Sequence, residues 1–336
     1  MVTAWTIERI VHFAPGDVLN DGFAHFGFHD RAGSFYAISH QRHFLGLVGS
    51  DGRFEWTVAA QQVIEGVPNI AADLEFPMFV DVLPDRTLVA SNFGNARLYR
   101  IDLDRMVARL LADGQALGMA DMGNCVVDRE GFVWVNEVTG CRVWRFDPDG
   151  GVERVLGDGR PGFQSDPVGF NEVNFNWIYD LRLGPDGRLY VLDGKNFAVR
   201  AIDLRERHVV TVAGNGSPGY SGDGEDARVA TFGGDPTARF DGPISLSLDE
   251  VGNVYVGDRF NHVVRMIDAV TGTISTIAGR RAADENRPNG AGEQDPRQLN
   301  LPQISSLDYH GGRLFVPTDL SGDRGDLAVL RKTGTD

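Results

Sequence analysis

The sequence predicts an all-β fold: a six-bladed β-propeller of four-stranded antiparallel blades, with the ring closed by the N-terminal strand. Three observations support this prediction. A repeat runs along the chain, a complete repeat contains four short strand patterns, and the last repeat lacks one of the four. The 336 residues include 42 glycines and 15 prolines, which suits a fold with many tight turns. Because repeats extend one body, we expect a single domain over residues 1–336.

The repeat is clearest in two segments, residues 187–203 and residues 252–268. The spacing from glycine to tyrosine, aspartate, asparagine and arginine is the same in both copies, which begin 65 residues apart. The same register leads to weaker copies, and the anchors of the six units are spaced 46 to 65 residues apart. Such a spacing accommodates four short strands and their loops. The anchors are Tyr36, Leu88, Trp134, Tyr190, Tyr255 and Phe315.

The register also predicts where each blade begins and ends. The sixth unit lacks an outer strand, whereas residues 4–13 alternate like a strand and have no blade of their own. We expect this segment to complete the sixth blade, which removes two exposed sheet edges. The predicted blades cover residues 23–60, 76–113, 122–158, 176–214, 242–279 and 301–331.

Two family resemblances follow from these units. Residues 212–224 and 253–265 resemble the repeat of the NHL family of six-bladed propellers. Residues 124–134 are similar to the gluconolactonase and SMP-30 group of propeller hydrolases. The first resemblance implies a module that presents one face to protein or RNA partners. The second implies an enzyme, in several cases metal-assisted, that acts on a small molecule.

The amino-acid composition disfavours two kinds of partner, nucleic acid and membranes. The chain has 32 Lys and Arg against 47 Asp and Glu, and this net charge of −15 disfavours nucleic acid. No stretch of eighteen apolar residues is present, and the first ten residues lack the apolar run of a secretory signal. We therefore expect an acidic, cytoplasmic protein that does not bind a membrane. The glycines of residues 214–219 lack the strand-to-helix context of a phosphate loop, so no nucleotide cofactor is expected.

The candidate site lies on the face where the longest connections meet. These connections cover residues 60–76, 159–176, 214–242 and 279–301, and long loops on a rigid scaffold commonly build binding sites. We expect the site at the channel mouth on that face. The residues predicted to bind a ligand there are Asn92, Asn124, Trp177, Tyr179, Asp193, Lys195, Asp258 and Arg259. The alternative for Asp193 and Asp258 is that each bonds its own turn, as Asx residues do.

Histidines cluster near the N-terminus, where five of the eight lie within the first 43 residues. His25, His40 and His43 are predicted to gather in the first blade, where they would bind one divalent metal ion. In the gluconolactonase group a glutamate occupies the place that His25 takes here. His25, His40 and Glu137 are the predicted catalytic residues, with Glu137 as general base. The alternatives are incidental histidines and an ion pair between Glu137 and Arg142.

Two functions remain open at this stage. The first is an enzyme of the hydrolase, lyase or cyclase class, which acts at the channel mouth on a small organic metabolite, with or without a metal ion. The second is a non-catalytic NHL-type module that binds a protein or a small ligand. The enzyme is favoured by the resemblance of stand-alone propellers of this size to gluconolactonases and amidating lyases.

The two cysteines provide a first test of the blade assignment. Cys125 begins an inner strand and Cys141 a third strand of the same blade, so they are about 9–10 Å apart across two strand spacings. This separation exceeds disulfide reach. Thiol titration of the denatured protein is expected to find two free thiols per chain. A titration that finds none would break the assignment of this blade.

Overall fold

The computed structural model describes residues 4–13, 24–28, 35–40, 42–49, 53–164, 166–235, 237, 242–281, 288–290, 294–320 and 324–333. Its contacts divide the chain into two compact units. The central unit consists of Phe23–Gln164 and Phe170–Leu183. The terminal unit consists of Met1–Gly22, Ser165–Gly169 and Gly184–Asp336.

Six sheets follow one another along the chain, and the fold is the all-β architecture of a six-bladed β-propeller. This confirms the predicted fold class. The helical elements of the described residues are three short 3₁₀ segments, Gly194–Asn196, Ala227–Val229 and Pro296–Gln298. None of the described helices is long and apolar enough to span a lipid bilayer.

The chain begins with strand β1 (Ala4–Phe13), which belongs to the last sheet. The first three sheets lie in the central unit and follow chain order. The first consists of β2 (Ala24–Phe28), β3 (Phe35–Ser39), β4 (Phe44–Val48), β5 (Phe54–Ala59) and β6 (Asn69–Ala71). The second consists of β7 (Pro77–Val82), β8 (Leu88–Asn92), β9 (Arg97–Asp102) and β10 (Val107–Asp113). The third consists of β11 (Cys125–Val127), β12 (Val133–Glu137), β13 (Arg142–Phe146) and β14 (Val152–Leu156).

The remaining sheets complete the set. The fourth has the order β15–β19–β18–β17–β16, with β15 (Val168–Gly169), β16 (Ile178–Leu183), β17 (Leu189–Asp193), β18 (Ala198–Asp203) and β19 (His208–Ala213). The fifth consists of β20 (Ser245–Leu248), β21 (Val254–Asp258), β22 (Val263–Ile267) and β23 (Ile274–Gly279). The sixth has the order β1–β26–β25–β24, with β24 (Asp308–His310), β25 (Arg313–Leu320) and β26 (Arg324–Thr333).

Two sheets contain a fifth strand that the repeat does not predict. Strands β6 and β15 lie inside the long connections 60–76 and 159–176, and each pairs with the outer strand of its sheet. β6 runs parallel to β5, and the Thr57 hydroxyl donates to Asn69 Oδ1 at 2.9 Å. Outer strands have unpaired backbone groups, so these short strands cover part of an exposed edge.

The core lies between neighbouring sheets. In β8, Leu88 and Ala90 belong to a buried cluster with Tyr36 of the first sheet. Val89, between them, belongs to a different cluster with Val135 of the third sheet. Successive side chains of a strand point to opposite faces, so both faces of β8 are buried. The second strand of a blade must therefore be apolar along its length, which explains why the repeat is anchored there.

The arginine of the repeat ties the long connections to the sheets. Arg200 of β18 and Arg265 of β22 are both fully buried. Arg200 pairs with Asp166 at 3.1 Å, and Arg265 pairs with Asp223 at 2.8 Å. Each aspartate lies in a long connection rather than in a strand. A buried guanidinium is costly unless it is paired, so these arginines hold the connections in place.

Strand β1 completes the sixth sheet, as the sequence predicts. It pairs antiparallel with β26, from Ala4 opposite Thr333 to Phe13 opposite Gly325. Trp5 is buried, and its ring meets Tyr255 edge-on with the centroids 5.6 Å apart. The first strand of the chain is thus held both by backbone pairing and by an aromatic contact. Cys125 and Cys141 are both free and buried, which confirms the prediction that neither cysteine forms a disulfide.

Trp5 is expected to account for much of the attachment of β1. Trp5→Ala removes a buried indole that contacts Tyr255, so it should lower the free energy of unfolding by about 3 kcal/mol. Thr6→Ala, at the neighbouring exposed position, should change it by less than about 0.5 kcal/mol. Urea unfolding followed by fluorescence and circular dichroism measures both. Equal stability of the two variants would show that β1 is held by its backbone pairing alone.

Candidate functional site

The first strands of neighbouring sheets lie side by side in the central unit. β2 contacts β7, β7 contacts β11, and β11 contacts β16. Charged and amide side chains occur on these strands among apolar neighbours. We call five residues on or beside them the first-strand cluster: Phe79, Asp81, Asn124, Asp180 and Arg182. They bring a cation, two carboxyl groups and an aromatic ring close together.

An ion pair on β16 organises the cluster. Asp180 and Arg182 are two residues apart on the strand and therefore share a face. Arg182 Nη1 donates to Asp180 Oδ1 and, at 2.9 Å, to the carbonyl oxygen of Leu181. The guanidinium lies over the ring of Phe79, 4.4 Å from its centroid. The Asp180 side chain is 2% exposed and that of Arg182 11%, so the pair is largely withdrawn from water.

Asn124 supports the carboxylate of this pair. Its Nδ2 donates to Asp180 Oδ1 at 2.6 Å, and the backbone N–H of Leu181 donates to the same oxygen at 2.8 Å. Asn124 Oδ1 is buried and has no hydrogen-bond partner among the described residues. Asn124 was predicted to bind a ligand, and the structure places it beside Asp180.

Asp81 of β7 lies in the same cluster and is partly exposed. Its Oδ2 accepts the N–H of Val127 at 2.8 Å, and its Oδ1 accepts the N–H of Val82 at 2.7 Å. Burial raises the pKa of Asp81, and the two N–H groups and the charge of Arg182 oppose that rise. A carboxyl group with a raised pKa is suited to taking up and releasing a proton.

Cys125 of β11 directly follows Asn124 in the sequence, and its thiol is not activated. Burial raises the pKa of its thiol to about 12, and the nearby Asp81 carboxylate adds to the rise. The nucleophile in cysteine chemistry is the thiolate. Cys125 is therefore part of the core between the second and third sheets.

Glu137, the predicted general base, is fully buried at the end of β12. It accepts from Arg142 Nε at 2.7 Å, from Trp144 Nε1 at 2.8 Å and from the Ala120 N–H at 2.7 Å. The ion pair with Arg142 that the sequence suggested as an alternative is present. Both carboxylate oxygens are engaged, so in this arrangement Glu137 joins a strand end to the loop that contains Ala120.

The structure brings His40 and His43 to the same aromatic side chain. The ring of buried His40 stacks on Phe76 with centroids 4.8 Å apart. His43 is exposed, and its Nδ1 accepts the Phe76 N–H at 2.8 Å. The backbone of His25 lies in β2, and its side chain falls outside the described part of the structure. The predicted roles of these three histidines stay predictions.

The predicted metal ion can be tested against the donors that the structure describes. Among those side chains, no group of three or more His, Cys, Asp or Glu could hold a metal ion. Nδ1 of His43 is occupied by a backbone N–H, and Asp180 is already bound by a guanidinium. The side chain of His25 is not among the described residues, so the divalent ion stays a prediction, and no step proposed below depends on one.

In the terminal unit, the aspartates of the repeat bond to the asparagines three residues later. Asn196 Nδ2 donates to Asp193 Oδ2, and Asn261 Nδ2 donates to Asp258 Oδ2, each at 2.8 Å. Asp258 also accepts the Gly233 N–H at 2.9 Å, and burial raises its pKa to about 6. These contacts match the structural alternative that the sequence left open.

The other predicted ligand residues are spread over both units. Lys195 is half-buried in the 3₁₀ segment after β17, and Arg259 donates to the Ile304 carbonyl oxygen at 3.1 Å. Asn92 is buried at the end of β8, where its Nδ2 donates to the Arg97 carbonyl oxygen at 3.1 Å. Trp177 and Tyr179 pack edge-on with their centroids 6.2 Å apart, in the segment that enters β16.

Four members of the first-strand cluster are not predicted from the sequence: Phe79, Asp81, Asp180 and Arg182. The local sequence signal is a charged residue inside a strand pattern. Asp81 lies between Val80 and Val82, and Asp180 follows Tyr179. The repeat register assigns these positions to first strands, but the partners lie up to a hundred residues away along the chain. Sequence spacing alone does not show that Arg182 reaches Phe79.

Known proteins similar to this chain support its fold but do not identify its function. No family model matches the chain. Protein SUPPRESSOR OF QUENCHING 1, chloroplastic, from Arabidopsis thaliana is 27% identical over 188 residues, or 52% of this chain. The chain spans only 16% of the length of that relative.

Solved structures resemble nearly the whole chain. Virginiamycin B lyase from Staphylococcus aureus matches with a TM-score of 0.56 at 14% identity, covering 96% of this chain and 99% of its own. An auxiliary nutrient binding protein from Bacteroides thetaiotaomicron matches with a TM-score of 0.61 at 13% identity, covering 98% of this chain and 77% of its own. At these identities the likeness shows the propeller fold alone.

Glu137→Gln tests whether this residue is structural. The change leaves the Arg142 guanidinium without its carboxylate, so the free energy of unfolding should fall by about 2 kcal/mol in urea titration. Glu130→Gln removes an exposed carboxylate from an ion pair with Arg145 and should cost less than about 0.5 kcal/mol. If Glu137→Gln is as stable as the unchanged protein, the ion pair is not what keeps Glu137 buried, and the predicted catalytic role gains support.

Proposed function

We propose that the chain is an enzyme that acts on a small organic molecule at the first-strand cluster. The observation that carries this proposal is the placement of Arg182 and Asp81 on first strands with part of each side chain exposed. Charges buried inside strands are costly unless they are paired and hydrogen-bonded. Here a fixed cation lies near a carboxyl group that can hold a proton, a combination that catalyses many reactions of carbonyl compounds.

In this proposal Asp81 is the general base. Two backbone N–H groups orient its carboxylate, and its raised pKa makes it a stronger base than an exposed aspartate. The charged and titratable groups that bear on it are Arg182 of β16 and Cys125 of β11. Because the thiol stays protonated, it adds no charge, and the charged groups beside Asp81 are Arg182 and its partner Asp180.

Arg182 would stabilise negative charge that develops on the substrate. Its guanidinium is held by Asp180, by the Leu181 carbonyl oxygen and by the ring of Phe79. A cation that is positioned before the reaction needs little rearrangement as charge develops. Asp180 and Asn124 act as positioning residues, since they contact Arg182 or its partner rather than the substrate.

The reaction class is hydrolysis, elimination or cyclisation. Virginiamycin B lyase, which shares the propeller fold, supports an assignment to this range. The repeat sequences of the fourth and fifth blades support an NHL-type propeller. We infer a protein that binds a small molecule rather than nucleic acid, on the grounds of the net charge of −15.

A second candidate is a binding protein for a small organic nutrient or signal. Two observations favour it: both oxygens of Asp81 already accept backbone N–H groups, and the thiol of Cys125 is inactive. An auxiliary nutrient binding protein shares the fold. In this case the cluster would hold its ligand without changing it.

A turnover assay separates the two candidates. Purified protein is incubated with a panel of simple lactones and aryl esters, and product formation is followed as a function of pH. If Asp81 is the base, kcat/KM falls as the pH is lowered through its pKa, since only the carboxylate accepts a proton. Asp81→Asn should lower kcat/KM by about 100-fold or more and remove that pH limb.

Asp104→Asn, which changes an exposed aspartate of the same unit, is the matched control and should retain full activity. Circular dichroism and thermal melting establish that both variants are folded. Unchanged turnover in Asp81→Asn would overturn the assignment of the base. Ligand binding without turnover by any member of the panel would favour the binding protein.

A further inference from the structure

The guanidinium of Arg182 is anchored on one side and open on the other. Nη1 uses both of its hydrogens, one toward Asp180 and one toward the Leu181 carbonyl oxygen. Within the described part of the chain, Nε and Nη2 have no hydrogen-bond partner, and neither is enclosed from solvent. An arginine presents five N–H donors, so three of them have no partner among the described residues and could donate to a ligand.

The open edge has a defined geometry. Nη1 is held by two hydrogen bonds, and the Arg182 guanidinium carbon lies over the Phe79 ring, 4.4 Å from its centroid. The Nε–Nη2 edge therefore has little freedom to rotate. Two parallel N–H groups on this edge match the two oxygens of a carboxylate, which binds arginine in a bidentate manner. The side chain is 11% exposed, so an incoming group meets donors that are already partly desolvated.

The surrounding charge restricts the kind of anion. The described groups around Arg182 include two carboxyl groups, Asp81 and Asp180, and a single guanidinium. A phosphate dianion would bring two negative charges to a place that offers one cation. A carboxylate brings one, and its charge would raise the proton affinity of Asp81 further.

We propose that the substrate carries a carboxylate group, which the Nε–Nη2 edge of Arg182 binds, and that its flat apolar part lies beside Phe79. This inference rests on the proposed function, because it names the substrate class of the same site. Asp81 would then take up a proton more readily when the carboxylate is bound. Binding of the carboxylate is therefore expected to weaken as the pH rises.

The experiment uses benzoate as the probe, with benzamide as its neutral isostere and inorganic phosphate as the competing anion. Binding is measured by isothermal titration calorimetry and by NMR of the ligand, at several pH values. Benzoate should bind the unchanged protein, and benzamide and phosphate should bind at least about tenfold more weakly. Calorimetry in buffers of different ionisation enthalpy should show proton uptake with benzoate at pH values near the pKa of Asp81, and none well above it, where Asp81 stays unprotonated and can act as the base.

Three variants locate the interaction. Arg182→Gln should weaken benzoate binding about tenfold or more, because the positive charge and the two parallel N–H donors are both lost. Arg182→Lys keeps the positive charge but lacks the paired N–H donors, so an intermediate loss of benzoate affinity is expected. This variant replaces the glutamine variant if the latter fails to fold. Arg154→Gln is the matched control, since Arg154 also lies over a phenyl ring, that of Phe170 at 5.7 Å, and should leave binding unchanged.

The outcomes separate this inference from the proposed function. Equal benzoate affinity in the unchanged protein and in the Arg182 variants would overturn the carboxylate assignment, as would no benzoate binding or tighter binding of phosphate or benzamide. The proposed enzymatic function would be rejected instead if benzoate binding depends on Arg182 but no lactone and no ester that carries a carboxylate group is turned over. Turnover that depends on Asp81 without any preference for carboxylates would keep the enzyme and reject its substrate class.

Discussion

The constraint on which the rest of the structure depends is that each sheet must cover both of its faces with neighbouring sheets. Leu88 and Ala90 pack toward the first sheet, whereas Val89 packs toward the third. A strand in this position gains burial on two sides and tolerates no charge along its middle. The apolar anchors of the repeat are the visible result. The same demand brings β1 back to β26, since the last sheet also needs its full width.

Strand ends are where this arrangement accepts buried polar groups. Equivalent positions at the end of the second strand carry Glu137, Asp193 and Asp258, all without exposure to solvent. Each carboxylate accepts hydrogen bonds from a nearby turn or connection. Arg200 and Arg265 perform the same task from the third strand. Buried charges in these places hold loops to sheets, and this is a structural use of residue types that also occur in active sites.

First strands, like outer strands, have one edge with no strand partner in their own sheet. An exposed edge leaves backbone N–H groups free to bind side chains, as the Val127 N–H binds Asp81. The ion pair of Asp180 and Arg182 depends on this setting: Asn124 and the Leu181 N–H stabilise the carboxylate, and Phe79 supports the guanidinium. A small number of contacts therefore keeps a cation available beside a titratable carboxyl group.

The sequence by itself determined the fold class, the six units, the closing strand and the two free cysteines, because these follow from local spacing and strand periodicity. It also raised the ion pair between Glu137 and Arg142, since Arg142 is only five residues away. Only the tertiary structure decided which side chains meet across strands. Arg182 reaches Phe79 and Asn124 reaches Asp180, although 103 and 56 positions separate these pairs. The reason is physical: repeats specify the register within a blade, whereas contacts between first strands depend on how neighbouring sheets pack.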